Sequence, residues 1–163
     1  FTFSYYVRQL RCIVLKGKKM HTCKHAYEVL ASTFALYLKT LNYHWNVTGE
    51  HFTQLHGLFE THYTELASAI DEIAERIRAN GEKVPASFKL FDKASILKDG
   101  KENIDWKKMV KDLHDDHKSL VKLIKKCAAH CSKLGDEGTF DLMVQRMKVH
   151  EKAVWMLASH LQK

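Results

Sequence analysis

Proline is almost missing from this chain: Pro85 is the only one in 163 residues, and there are seven glycines. So few breakers favour long helices over a turn-rich all-β fold. No run of about 18 apolar residues occurs, which excludes a membrane-spanning helix. The N-terminal stretch is apolar in places, but Arg8 and Arg11 interrupt any signal-peptide core, and the protein reads as cytosolic. Cysteine is scarce and no Cys-x-x-Cys occurs; Cys12 and Cys23 lie near the N-terminus, and Cys127 and Cys131 are one helical turn apart. That last pair could share one metal, or serve as reduced thiols filling a core.

What is present is one domain, long enough to bury a core without disulfides or a structural metal. Apolar residues make up 45% and charged residues 28%, an ordinary soluble balance. The net charge of +7 is unevenly placed. Arg8, Arg11, Lys16, Lys18, Lys19 and Lys24 precede the first acid, Glu28, and the other 20 basic residues stand against 19 acids. A basic arm on a balanced body suggests an anionic partner, nucleic acid or a membrane surface, or else a solubilised chain end.

Apolar spacing predicts helices over about 22–47, 50–80 and 104–134 and a last one after Gly138, capped by Thr139. The 82–103 connection holds Pro85 and a short helix near 92–97. Two long hairpins joined by an extended crossover make an all-α four-helix bundle over residues 22–163, preceded by a basic, partly apolar extension, 1–21.

The second helix carries two stripes. Phe52, Leu55, Phe59, Leu66, Ile70, Ile73 and Ile77 form the apolar one. On the same wheel His56, Glu60, Asp71 and Glu75 fall at about 0°, 40°, 60° and 100°. One helix cannot bring these four to one ion, because Glu60 and Asp71 lie roughly 16 Å apart along the axis. Two antiparallel copies related by a two-fold between residues 65 and 66 would set His56 against the second copy's Glu75. Glu60 would meet the second copy's Asp71, with the small Thr64, Ala67 and Ser68 at the crossing. Such a mix of imidazole and carboxylate suits Fe(II), Mn(II) or Zn(II). The alternative is a solvated face of i,i+4 contacts, as Glu65, Glu72 and Arg76 on the far side suggest.

These residues also match a family pattern. His44-Trp45-Asn46-Val47 with Gly49, then Phe52, His56, Glu60, Asp71 and Ala74-Glu75-Arg76, resembles the Dps family, the ferritin-like DNA-binding proteins of starved bacterial cells. Glu151-Lys152 and Trp155-Met156-Leu157 resemble that family's last helix, so the likeness covers about residues 24–161. The resemblance implies a ferritin-like bundle assembled as a hollow dodecamer in the bacterial cytoplasm or nucleoid. It implies a ferroxidase that oxidises Fe(II), chiefly with hydrogen peroxide, and deposits ferric mineral inside the shell.

By the same resemblance, His44, His56 and Glu60 of one subunit meet Asp71 and Glu75 of its two-fold mate. His44 with Asp71 and Glu75 would hold the tighter iron, and His56 with Glu60 the weaker. Trp45 would lie beside the site, either in electron transfer or as an ordinary core aromatic. Glu137 and Asp141 would line a three-fold iron-entry pore, although acids in a first turn also suit the helix dipole. A DNA-compacting role through the basic arm is the alternative function. Residues 1–19 depart from the pattern, since Phe1, Phe3, Tyr5, Tyr6 and Ile13 are too apolar for a solvated arm. The Glu-x-x-His motif of ordinary ferritins occurs nowhere, which disfavours a di-iron site inside one subunit.

Overall fold

The computed structural model describes the backbone of residues 2–162 and the side chains of residues 24–162. Five helices and no strand occur among the described residues: α1 (Thr2–Asn46), α2 (Phe52–Ala79), α3 (Phe88–Ala94), α4 (Trp106–Leu134) and α5 (Glu137–Leu161). Helix α1 packs on α2 and α4, α4 packs on α5, and α3 covers α1 from the crossover. This is the expected all-α ferritin-like bundle with a short helix in its long connection.

Several boundaries differ from the sequence expectation. Helix α1 begins at Thr2 rather than near 22. The short helix lies at Phe88–Ala94 because Ser87, extended, caps it by accepting from the Leu90 amide. Helix α5 is capped not by Thr139 but by Asp136, whose carboxylate accepts from the Thr139 amide and hydroxyl at 3.1 and 2.7 Å. A carboxylate at this position satisfies an orphan amide and also faces the positive helix end. Gly135, at φ 70°, closes α4 in the left-handed conformation, with the Asp136 amide donating back to the Cys131 carbonyl.

The core is one contiguous cluster drawn from all four long helices. Cys127 and Cys131 belong to it, both fully buried with their sulfurs 4.0 Å apart. The contact with Cys131, followed by burial, holds the Cys127 thiol well above its ordinary range. Phe52, expected in the apolar stripe of α2, is instead 45% exposed, and Leu38 of α1 is 42% exposed.

Polar ties set how the hairpins dock. Lys39 of α1 is buried against Asp116 and Asp112 of α4, at 2.6 and 3.7 Å. The Tyr43 hydroxyl donates to Asp112 at 2.6 Å and accepts the Lys101 amide at 3.1 Å, fastening the crossover to α1. Arg76 and Glu65 are not solvated as expected. Arg76 reaches Asp136 at 2.6 Å and Thr139 at 2.9 Å, joining the end of α2 to the start of α5. Glu65 pairs in bidentate fashion with the nearly buried Arg146 of α5.

Candidate metal centre

The turn between α1 and α2 brings the first two predicted ligands together. Gly49, at φ 103°, takes a backbone conformation that disfavours other residues, and Phe52 donates its amide back to the Gly49 carbonyl. This folds α2 directly against the end of α1. His44 Nδ1 then lies 2.9 Å from the His56 carbonyl, and His56 Nδ1 lies 2.9 Å from the His44 carbonyl. The two rings stack at 3.8 Å with an interplanar angle of 22°.

That reciprocity determines the tautomers. A carbonyl can only accept, so each Nδ1 must carry the proton. Both Nε2 atoms are left with free lone pairs, the form a metal ligand requires. The His44 carbonyl is available because it belongs to the last turn of α1, where carbonyls lack intrahelical partners. His44 is 7% exposed and His56 is half-buried. Tyr63 stands edge-on to His44 at 5.1 Å and Phe52 tilts over His56 at 5.0 Å, fixing the imidazole pair from either side.

Glu60 is exposed one turn beyond His56. Asp71 and Glu75 are also exposed on α2, and Asp71 is roughly 16 Å along the axis from Glu60. The chain therefore unites His44 with His56 and sets Asp71 and Glu75 apart from them. No three metal-ligand side chains able to hold an ion converge among the described residues of one chain. Thr64, Ala67 and Ser68, between the two half-sets, are all exposed.

Trp45 is 67% exposed and so is not a core aromatic of this chain. Glu137 and Asp141 are exposed in the first turns of α5. Of the basic residues assigned to nucleic acid, Lys24 is exposed, and Arg8, Arg11, Lys16, Lys18 and Lys19 lie outside the described side chains. No helix among the described residues is long and apolar enough to cross a membrane.

Sequence reasoning missed a second set of histidines. His62, His117 and His150, from α2, α4 and α5, are buried in the bundle. Burial keeps them neutral, lowering His62 to about 4 and His150 to about 3, and His117 well below its ordinary value. The available signal was register: His117 follows Leu113 by four residues and precedes Leu120 by three, on the apolar face of α4.

Comparison with known proteins agrees with this architecture. Residues 23–163 match the ferritin-like domain family, Ferritin. The chain is 36% identical over 142 residues to DNA protection during starvation protein 2 of Bacillus anthracis, covering 85% of this chain and 97% of that one. The crystal structure of the Dps protein from Vibrio cholerae O1, described as belonging to a broad superfamily of ferritin-like diiron-carboxylate proteins, superposes with a TM-score of 0.86. That match has 33% identity and covers 90% of this chain and 92% of that one. Dps from Thermosynechococcus elongatus gives a TM-score of 0.88 at 26% identity, over 92% and 96% of the two chains. With the histidine pair at the α1–α2 turn and the acids farther along α2, this chain belongs to the ferritin-like Dps family.

Proposed function

We propose that this protein oxidises Fe(II) at sites shared between two copies of the chain and stores the ferric product within a closed shell, a dodecamer in this reading. The observation that carries it is the division of ligands: two imidazoles with free Nε2 atoms at one end of α2, and Asp71 and Glu75 beyond their reach. Antiparallel pairing of α2 about its midpoint completes both sets, with the exposed Thr64, Ala67 and Ser68 permitting close approach.

In this arrangement neutral imidazoles and carboxylates bind Fe(II), and the carboxylates hold the harder Fe(III) more strongly. Two adjacent irons deliver two electrons together, so hydrogen peroxide is reduced to water without releasing hydroxyl radical. Zn(II) or Mn(II), which accept the same donors, would compete for the site. Glu137 and Asp141 form an acidic approach for the cation, and Trp45 stands at the surface the second copy would cover. The test is anaerobic loading with Fe(II) followed by peroxide. Ferric absorbance should rise quickly in the parent and at least about tenfold more slowly in His44→Ala and Asp71→Ala, as loss of a metal ligand requires. Unchanged rates in both variants would end the reading.

A second role in protecting DNA has its own support in the six basic residues that precede any acid. Many arms on one shell would bind a duplex multivalently, and affinity would fall steeply with salt. A gel shift that disappears on deleting residues 1–19 supports this role, and no shift even at low salt removes it.

A further inference from the structure

Helix α4 carries its charge on one side. It holds eight lysines, three aspartates and no glutamate, and no acid follows Asp116 within it. With Lys107 placed at zero degrees, all eight lysines out to Lys133 fall within about 100° of arc. Every one of them is exposed. The buried positions, Met109, Leu113, Leu120 and Ile124 among them, lie on the opposite side of the helix.

Partners within the chain offset only part of this charge. Asp112 and Asp116 turn to the buried Lys39 of α1. Asp105, Asp115 and Glu151 pair with Lys108, Lys111 and Lys125 at 3.2, 2.6 and 3.1 Å, at exposed positions where water screens each pair. Lys118, Lys122, Lys126 and Lys133 stay outside the ion pairs of the described residues. The first three follow one another at i,i+4, so like charges stand one turn apart and repel. A face that serves solubility alone intersperses both signs. Here the repulsion is left for an anionic partner to relieve.

The fold says where this face points. Helices α2 and α4 each pack on α1 and α5, which sets them at opposite corners of the bundle. In the proposed assembly the exposed face of α2 meets the second copy, and the lysine face of α4 points away from it. From Lys107 to Lys133 the row is about 39 Å long. That is slightly more than one turn of duplex, over which B-DNA carries roughly 23 phosphates. Held between α1 and α5, the helix cannot sink into a groove that admits a single helix, and lysine offers a point charge rather than a fork. Contact therefore stays on the phosphate backbone. No large apolar side chain of α4 is exposed to enter a bilayer, as a membrane-surface helix requires. We propose that the lysine face of α4 is a track for the backbone of duplex DNA, bound without regard to base sequence. This inference rests on the DNA-protecting role and moves its contact from the N-terminal arm to the body of the chain.

The test is fluorescence anisotropy of a labelled duplex of about 30 base pairs, two to three turns, titrated with the assembled full-length protein over a series of salt concentrations. One variant combines Lys118→Gln, Lys122→Gln and Lys126→Gln. A control of equal charge combines Lys83→Gln, Lys93→Gln and Lys98→Gln, exposed lysines of the crossover. The α4 variant should bind at least about tenfold more weakly, and its plot of log affinity against log salt should be shallower by about three. The control should keep the affinity and slope of the parent, and duplexes of scrambled sequence should bind alike. Iron oxidation should be unchanged in the α4 variant, so the result is independent of the ferroxidase reading. Duplex binding that the α4 variant leaves intact overturns the proposal and leaves the arm standing as the contact. An equal loss in both variants overturns it as well, since net charge alone would then account for binding. So does a parent that binds no duplex at low salt, or an α4 variant that loses binding to vesicles of anionic lipid and not to DNA.

Discussion

Removing either partner of the Glu65–Arg146 pair should cost very different amounts, because the two side chains meet water differently. Arg146 is 5% exposed and Glu65 is 38% exposed. Glu65→Ala leaves a guanidinium in the bundle interior, with His150 at 3.5 Å as its remaining neighbour. Breaking a fully buried pair this way costs about 3–5 kcal/mol, and the partial hydration available at the Glu65 end reduces this to about 2–3 kcal/mol. Arg146→Met instead removes the buried charge, fills much of the same volume and leaves a carboxylate that can turn to solvent. Its cost should be about 1 kcal/mol. The double variant should resemble Arg146→Met, because the stranded charge is gone. Urea unfolding followed by circular dichroism, at one protein concentration so that assembly is held constant, gives the three values. If Arg146→Met proves as costly as Glu65→Ala, or the double variant is the worst of the three, the ordering by burial is wrong.

Acid should weaken the fold early. Burial lowers the folded values of the buried histidines, to about 4 for His62, to about 3 for His150 and well below the ordinary value for His117. The unfolded chain therefore binds more protons below about pH 6.5, and stability present above that point is lost as pH falls toward 4. The slope should reach about 4 kcal/mol per pH unit with all three titrating, and a melting temperature unchanged between pH 7 and 5 would contradict it. At the other end of the bundle, Asp136 caps α5 and binds Arg76. Burial would raise its carboxyl, but the Thr139 hydroxyl and amide together with Arg76 hold it below the ordinary range. Asp136→Ala should cost about 2 kcal/mol in urea unfolding, a cap plus a half-buried charged hydrogen bond, and Asp136→Asn roughly half of that.

Much of the bundle was legible because apolar periodicity over long segments is a strong signal and Gly49, Gly81 and Gly135 punctuate it. The details that slipped are decided by single side chains. Ser87 starts α3 earlier than the apolar pattern suggests, and Asp136 caps α5 three residues before Thr139. Leu38 and Phe52 are apolar yet exposed, since periodicity cannot separate a face that meets the core from one at the chain's surface. The same blindness hid the interior polar groups. His117 shares the register of the apolar face of α4, but Arg146 and His150 read as polar on a wheel, and only the fold shows that the three answer one another. The ligand intervals on α2 were legible because helix geometry converts spacing into distance. The reciprocal histidine bonds across the α1–α2 turn were not, since they depend on two helix axes meeting at a particular offset.

Under the proposed function no chain owns a complete iron site, and mixing two defective chains separates this arrangement from sites built within one chain. His44→Ala and Asp71→Ala chains, each inactive alone, should be co-expressed in equal amounts and the mixed assemblies assayed for peroxide-dependent ferric absorbance. Random pairing makes half of the two-fold dimers mixed, and each of these places both lesions in one site and leaves the other intact. The mixture should therefore recover about a quarter of the parent rate. Recovery indistinguishable from zero, with mixed assembly confirmed by mass, would mean that His44 and Asp71 do not serve one shared site.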